Sequence, residues 1–161
     1  MTIDIVKADF TIPLHAVAFI TALDAYARDP MGGGAPLSEH ARANLVPMLV
    51  RRPGFFSVLA FVDGEVAGLA NCMEGFSTFA CKPLINIHDF AILPPFRRLG
   101  LGRGVLGFVE QIAVENGCCK LTLEVLEGNK VAQALYSASG FAGYELGEGG
   151  RALFWQKKLP H

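Results

Sequence analysis

Ala16, Phe19, Leu23 and Tyr26 recur at i, i+3, i+7 and i+10, one apolar face of a helix over 14–28. The DPMGGGAPL stretch that follows, 29–37, sets two prolines around three glycines and excludes a helix. A second helix opens at Ser38, with Ala41, Leu45, Met48 and Leu49 on one face, and Pro47 is expected to kink or shorten it. From Phe55 the texture changes. Residues 56–62 form an apolar strand, Asp63-Gly64 is a hairpin turn signal, and 65–76 read as the returning strand. LINIHDFAIL, 84–93, is a third strand stopped by Pro94-Pro95. A helix over 102–116 buries Val105, Val109 and Ile112 and ends at Gly117. A strand at 120–126, a helix over 129–139 ending at Gly140, and a closing hairpin of 141–146 and 152–158 around GEGG complete the chain. The order α-α-β-β-β-α-β-α-β-β is solved most economically by a mixed sheet with helices on both faces.

Composition narrows the class. The 161 residues are 52% hydrophobic with 18 glycines and a net charge of -1. That fits one packed domain over 1–161, burying about 68–70% of the unfolded chain's surface, and disorder requires the opposite composition. The charge balance argues against a chain built to neutralise nucleic-acid phosphates. No apolar run reaches the roughly 18–20 residues of a membrane span, since Asp24 and Arg28 interrupt the best stretch. MTIDIVKADF has neither the basic nor the apolar region of an export signal. Cys72, Cys81, Cys118 and Cys119 are therefore read as reduced thiols in a cytoplasmic protein, and no metal site is expected from them.

The most informative stretch is Phe96-Arg97-Arg98-Leu99-Gly100-Leu101-Gly102-Arg103-Gly104, which joins a strand to a helix. Glycines let backbone N–H groups approach an anion, the helix N-terminus adds about half a positive charge, and arginines add charge-assisted contacts. The chemistry suited to this turn is phosphate or pyrophosphate. Gly102, Gly104 and Gly107 match G-x-G-x-x-G, with Glu124 downstream, but residues 94–101 separate them from the strand, so these glycines fall inside the helix rather than in a dinucleotide-binding turn. No G-K-[ST] occurs for a Walker A loop.

The surviving pattern, Arg97-Arg98-Leu99-Gly100-Leu101-Gly102, resembles the R-x-x-G-x-G motif of the GNAT superfamily of acetyl-CoA-dependent N-acetyltransferases. HDFAILPPFRRLGLGRGVL is similar to that family's strand–loop–helix, and Asn129-x-x-Ala132-x-x-x-Tyr136-x-x-x-Gly140-Phe141 to its next strand–helix unit. Together the two cover 84–146, in the family's order. The resemblance implies an α/β fold of α+β type with a mixed, mostly antiparallel sheet of six to seven strands, splayed at the acetyl-CoA site. It also implies acetyl-CoA as cosubstrate, a small amine acceptor and a homodimer, while the charge balance and the short apolar runs lead to no nucleic-acid or membrane partner being expected. FSTFACKPLINIHDFAI is similar to the diamine and polyamine acetyltransferase branch, although His88-Asp89 stands where that branch has Glu-Asp. Within the resemblance, 29–37 and 74–83 border the acceptor site.

Acetyl transfer to an amine needs a deprotonated nucleophile, a donor to the developing oxyanion and help for the leaving thiolate. The resemblance implies Tyr136 as general acid toward the sulfur and Asn129 as a contact to the pantetheine arm. The bland alternatives are a core tyrosine and a helix N-cap. It implies the Ile92 N–H, at a bulge in its strand, as oxyanion donor, with Arg97, Arg98, Leu99, Gly100, Leu101, Gly102 and Arg103 holding the pyrophosphate. Strand alternation puts Asn86, His88 and Phe90 on one face, with Ile87 and Asp89 on the other. His88 is read as the base or as a core histidine, and Asp89 as orienting substrate or capping a loop. Asp29, Glu39 and Glu74 are read as carboxylates available to an ammonium or simply as solvated surface charges. The expected activity is N-acetylation of a diamine, polyamine or amino-acid derivative by direct attack. The other readings are an acyl-CoA-binding sensor module without catalysis and a transferase acting on protein amines.

Overall fold

The computed structural model describes residues 1–160. Five strands form one sheet in the order β1-β2-β3-β4-β5: β1 (Ile3–Lys7), β2 (Phe55–Val62), β3 (Glu65–Ser77), β4 (Lys82–Ile92) and β5 (Leu121–Leu123). The first three junctions are antiparallel and β4–β5 is parallel. Helices α1 (Pro13–Arg28) and α2 (Glu39–Val50) lie on one face, and α3 (Leu101–Glu115) and α4 (Lys130–Ala138) on the other. Alternation along the central strands builds both layers. Val58, Ala60, Ala70 and Cys72 meet Val105, Leu106 and Val109 of α3, while Leu59, Phe61 and Leu69 meet Phe19, Ala22 and Leu23 of α1.

Most elements follow their local signals. Asp63 and Gly64 both take positive φ, 50° and 83°, the twist that a two-residue hairpin needs. Ser38 caps α2 by accepting from the Ala41 N–H at 3.1 Å. Gly117, at φ 70°, ends α3 as the Cys118 N–H donates back to Ala113 O. Helix α2 runs through Pro47 to Val50.

Three expectations are corrected. The sheet has five strands among the described residues, not six or seven. The edge strand β1 was not foreseen, and the closing hairpin reduces to one bridge, Glu145 to Arg151. The strand expected over 120–126 stops at Leu123. Each departure lies at an edge, where pairing depends on a distant neighbour rather than on local pattern.

Candidate functional site

The site begins where β4 and β5 part. Among the described residues β5 pairs only with Ile85, Asn86 and Ile87, so β4 runs on to Ile92 with no strand paired to it on that side. The Leu93 N–H donates to Ala67 O at 2.8 Å, which makes this a bonded pair across β3 and β4. The next pair, Gly68 with Ile92, and Ala70 with Phe90 beyond it, must then turn their backbone groups away from β3. The Ile92 carbonyl does so, accepting from Arg97 Nε at 3.0 Å. The N–H groups of Ile92 and Phe90 are thus aimed into the wedge that β5 leaves open.

Tyr136 borders the same wedge. Its ring packs edge-on against Phe90 at 5.7 Å and against Phe141 at 6.0 Å, and the residue is only 7% exposed. No protein group within the described residues bonds its hydroxyl, yet that oxygen is not sealed from solvent. Burial, and to a smaller extent Tyr26 nearby, push the phenol up to about 12. Asn129 caps α4 by accepting from the Ala132 N–H at 3.2 Å, so its carboxamide NH2 is left for another partner.

Beyond the wedge lies the glycine-rich turn. Arg98 and Gly100 adopt left-handed backbone, φ 70° and 78°, and Gly100 is the N-cap of α3. The N–H groups of residues 98–103 meet no acceptor within the described residues; the next donor, Gly104, bonds Gly100 O. Six consecutive free donors at a helix start, curled by two left-handed residues, form an anion nest. Arg98 and Arg103 have no side-chain partner within the described residues. Arg97 does not join them, because it is bound to Ile92 O and, through Nη2, to Asp29 Oδ2 at 3.1 Å. A Cβ on Gly102 would come within 2.8 Å of Leu135, and one on Gly104 within 2.8 Å of Ile5. These two glycines therefore seat α3 against α4 and β1 rather than making a dinucleotide turn.

The opposite face of the sheet carries a cavity of about 510 Å³ between α1, α2 and the strands, a volume typical of small-molecule sites. Its walls are apolar (Phe19, Leu23, Leu45, Leu49 and Phe55), and Asn71, His88 and Asp89 form its polar end. Arg52 and His40 also line it, and Arg52 with Arg51 and Met48 continues into an outer concavity of about 500 Å³. One register row supplies the polar end. Ser57 Oγ donates to Asn71 Oδ1 at 2.8 Å, and Asn71 Nδ2 donates to Asp89 Oδ2 at 3.0 Å, with Asn71 only 3% exposed. This chain fixes the carboxylate. α2 is held over the cavity by Asp24, which receives Arg28, Arg42 and the Leu37 N–H within 2.9 Å.

A bulge explains how His88 and Asp89 reach one cavity. Asn71 pairs with Asp89 but Cys72 pairs with Ile87, so His88 is the extra residue of β4. Side-chain parity reverses there: Ile85 and Ile87, then Phe90 and Ile92, face α3, while Asp89 faces the cavity. The alternation expected from sequence, with His88 and Phe90 on one face and Asp89 on the other, is thereby corrected, and the bulge lies at His88 rather than Ile92. Two further placements differ, those of Glu74 and Asp29, while Glu39 stands as a solvated surface charge. Glu74 shares a face with Ala70 and Cys72 and acts on the Cys118 thiol, which burial first and Glu74 next push up, so it lies across the sheet from the cavity. Asp29 is engaged, its carboxyl held low by the Met31 N–H and by Arg97. Glu39 is exposed in the first turn of α2, and within the described residues neither 29–37 nor 74–83 lines the cavity.

Tyr26 escaped the sequence reading, which placed it with the helical core stripe. Burial raises its phenol, and the carboxylates of Asp89 and Asp29 raise it further; Tyr136 in turn feels Tyr26. It therefore lies near Asp89, Asp29 and Tyr136 while packing against the α1 side of the core. Its position three residues before Asp29 and next to the glycine-rich loop was the available signal. Within the described residues no cluster of His, Cys, Asp and Glu could hold a metal ion, and no helix is long and apolar enough to cross a membrane.

The sequence pattern of the Acetyltransferase (GNAT) family matches residues 20–141. The thialysine N-epsilon-acetyltransferase of Caenorhabditis elegans is 33% identical over 91 residues, 56% of this chain and 56% of that protein. The aminoglycoside N(6′)-acetyltransferase type 1 of Salmonella typhimurium is 23% identical over 63% of this chain and 69% of its own. The chain thus spans little more than half the length of the first of these relatives. In structure it is similar to AAC(6′)-Iy in complex with the bisubstrate analogue CoA-S-monomethyl-acetylneamine, with a TM-score of 0.71, 20% identity and coverage of 99% and 100%. The aminoglycoside acetyltransferase meta-AAC0020 from a soil metagenome, with trehalose, gives a TM-score of 0.76 at 17% identity, covering 98% and 97%.

Proposed function

Since the chain belongs to the acetyltransferase (GNAT) family, we propose that it transfers the acetyl group of acetyl-CoA to a small primary amine by direct attack. The observation that carries this reading is the juxtaposition, through one strand, of three parts: a free anion nest at 98–103, a wedge with two unused N–H donors, and a polar-ended cavity on the far side. The diphosphate of the cosubstrate fits the nest and the side chains of Arg98 and Arg103. Its pantetheine arm fits the wedge beside Asn129. Bound there, acetyl-CoA supplies the activated thioester.

The residues divide the remaining work. Asp89, fixed by Asn71, attracts the acceptor's ammonium. His88, directly or through a water, takes the proton that an amine of pKa near ~10.4 carries at neutral pH. The Ile92 N–H donates to the carbonyl oxygen as negative charge develops on it. Tyr136 is retained as a donor in a limited sense. From a phenol at about 12 to a thiolate near ~8.5, full proton transfer is uphill by roughly 5 kcal/mol. Tyr136 therefore stabilises the leaving sulfur by hydrogen bonding, and water delivers the proton.

Arg52, beyond the Phe55–Met73 row and without an ion-pair partner in the described residues, lies apart from Asp89 along the same lining. A cavity with a carboxylate at one end and a guanidinium at the other favours an amino-acid derivative over a diamine or polyamine. The thiols and the solvent-facing charges suit the cytoplasm, and the working unit is a homodimer.

The test is acetyl-CoA-dependent thiol release with lysine-like amino acids, matched diamines, polyamines and N-terminal peptides. Turnover with the amino acids, and an increase in their KM alone in Arg52→Gln, is the expected result. Turnover with diamines alone overturns the amino-acid preference. Tight acetyl-CoA binding with no turnover on any amine overturns the enzyme in favour of a sensor module.

A further inference from the structure

The chain turns from α2 into β2 through Arg51-Arg52-Pro53-Gly54. Arg51 is the C-cap of α2, the Arg52 N–H donates back to Leu49 O at 3.0 Å, and Gly54 takes a left-handed φ of 79° where β2 begins. Both guanidiniums stand on this turn, and neither has an ion-pair partner within the described residues. The C-terminus of a helix carries about half a negative charge, so one guanidinium offsets it and the second is in surplus. The turn also bounds two spaces. Met48 and Arg52 line both the polar-ended cavity and the outer concavity of about 500 Å³, which Arg51 and Pro53 complete. The outer space is as large as the cavity, adjoins it, and is lined by two guanidiniums and two apolar side chains.

We infer that the acceptor is a dicarboxylate: an amino acid whose α-nitrogen carries an acyl group ending in a second acid, with the side-chain amine left to react. This rests on the transferase reading given above and narrows its substrate. Three observations define the class. Antiparallel strand rises about 3.4 Å per residue, so the Asn71–Asp89 and Phe55–Met73 rows lie about 7 Å apart. An amine held at Asp89 on a butyl-length chain therefore brings its own carboxylate toward Arg52. Among the described residues, Asp89 is also the one carboxylate that lines either space. A free α-ammonium beside Arg52 would meet guanidiniums and no acid, so the site suits an α-nitrogen made neutral as an amide. An acyl group on that nitrogen continues past Arg52 into the outer concavity. There Met48 and Pro53 offer apolar contact to its methylenes, and Arg51 is unspent for the terminal acid.

The experiment compares Nα-succinyl-lysine with Nα-succinamoyl-lysine, which share every group except the charge on the second acid. The succinyl compound is expected to have a KM about 5-fold lower, the scale of one partly exposed ion pair. In Arg51→Gln the two KM values are expected to coincide, and in Arg51→Lys most of the difference to return. Equal KM values in the unaltered chain overturn the inference, as does a preference that survives Arg51→Gln. If Arg51→Gln fails to fold, the comparison of the two acceptors on the unaltered chain decides. Calorimetry with Nα-succinyl-norleucine, which lacks the reacting amine, reads the outer site without acetyl transfer. Binding of it that weakens in Arg51→Gln, with no turnover on any amine, sinks the transferase reading and leaves the outer site standing. Turnover on lysine with no Arg51-dependent binding does the reverse.

Discussion

Asp89 has one carboxylate oxygen tied to Asn71 and the other free for the cavity, while Asn71 is itself held by Ser57. A carboxylate fixed in this way loses little further freedom on binding an ammonium, which is the physical content of preorganisation. Asn71→Ala is expected to raise the acceptor KM about 10-fold, equivalent to about 1.4 kcal/mol, with acetyl-CoA affinity unchanged. An equal loss for both substrates would show that the change had disturbed the sheet instead. Tyr136→Phe should lower kcat about 10–100-fold, short of the 10²–10⁴ typical of full proton transfer, because the phenol at about 12 donates a hydrogen bond without releasing its proton. Steady-state kinetics beside calorimetric CoA binding separates the two effects. For His88 the check is His88→Gln, expected to lower kcat/KM for the acceptor about 100-fold or more, as loss of a positioned base does, with acetyl-CoA affinity unchanged; unaltered turnover would remove His88 from the mechanism.

At the level of elements, the turn into α3 and the hairpin between β2 and β3 both use a left-handed glycine with open space at its Cβ, Gly100 and Gly64. An added methyl meets no atom at either, so what it costs is the conformation, about 1–2 kcal/mol. The two positions differ in what the conformation serves. Gly100→Ala is expected to lower both thermal stability and acetyl-CoA affinity, and Gly64→Ala thermal stability alone. Equal affinities would remove the nest from the binding site. The same scale explains why one strand could be read in outline and misread in detail. The apolar run of β4 is plain, but a bulge at His88 leaves no mark in a run already rich in isoleucine, because it depends on how β3 pairs across from it.

Over the whole molecule, burial of ionisable groups sets the alkaline limit. Cys72 lies wholly inside the sheet, and its thiol is pushed up to about 12 from near 9 by burial first and by Asp89 second. The unfolded chain therefore loses this proton from about pH 9 upward while the folded chain keeps it, so stability is complete below pH 9 and declines as pH rises toward 12. Tyr136 adds a second decline from about pH 10. Melting temperature is expected to be flat up to pH 9 and then to fall. In Cys72→Ala it starts lower, because the side chain leaves a small cavity, but the fall between about pH 9 and 10 is shallower, with only the raised Cys118 thiol left to contribute there. An identical profile would show that Cys72 is not the group responsible.

The sequence by itself determined what is local: helix faces, the Ser38 cap, the Asp63-Gly64 turn, the glycines that open α3, and hence the resemblance that points to the cosubstrate. Such features depend on residues a few positions apart, where backbone sterics and side-chain period decide the outcome. Only the tertiary structure decided which donors are free and which charges are spent. Arg97 is occupied by Asp29 from 68 positions away, Glu74 lies on the far face, and Tyr26 comes near Asp89 and Tyr136 from α1. Those outcomes belong to pairing register and to burial, which are set by contacts between distant segments and so are not written in any one of them.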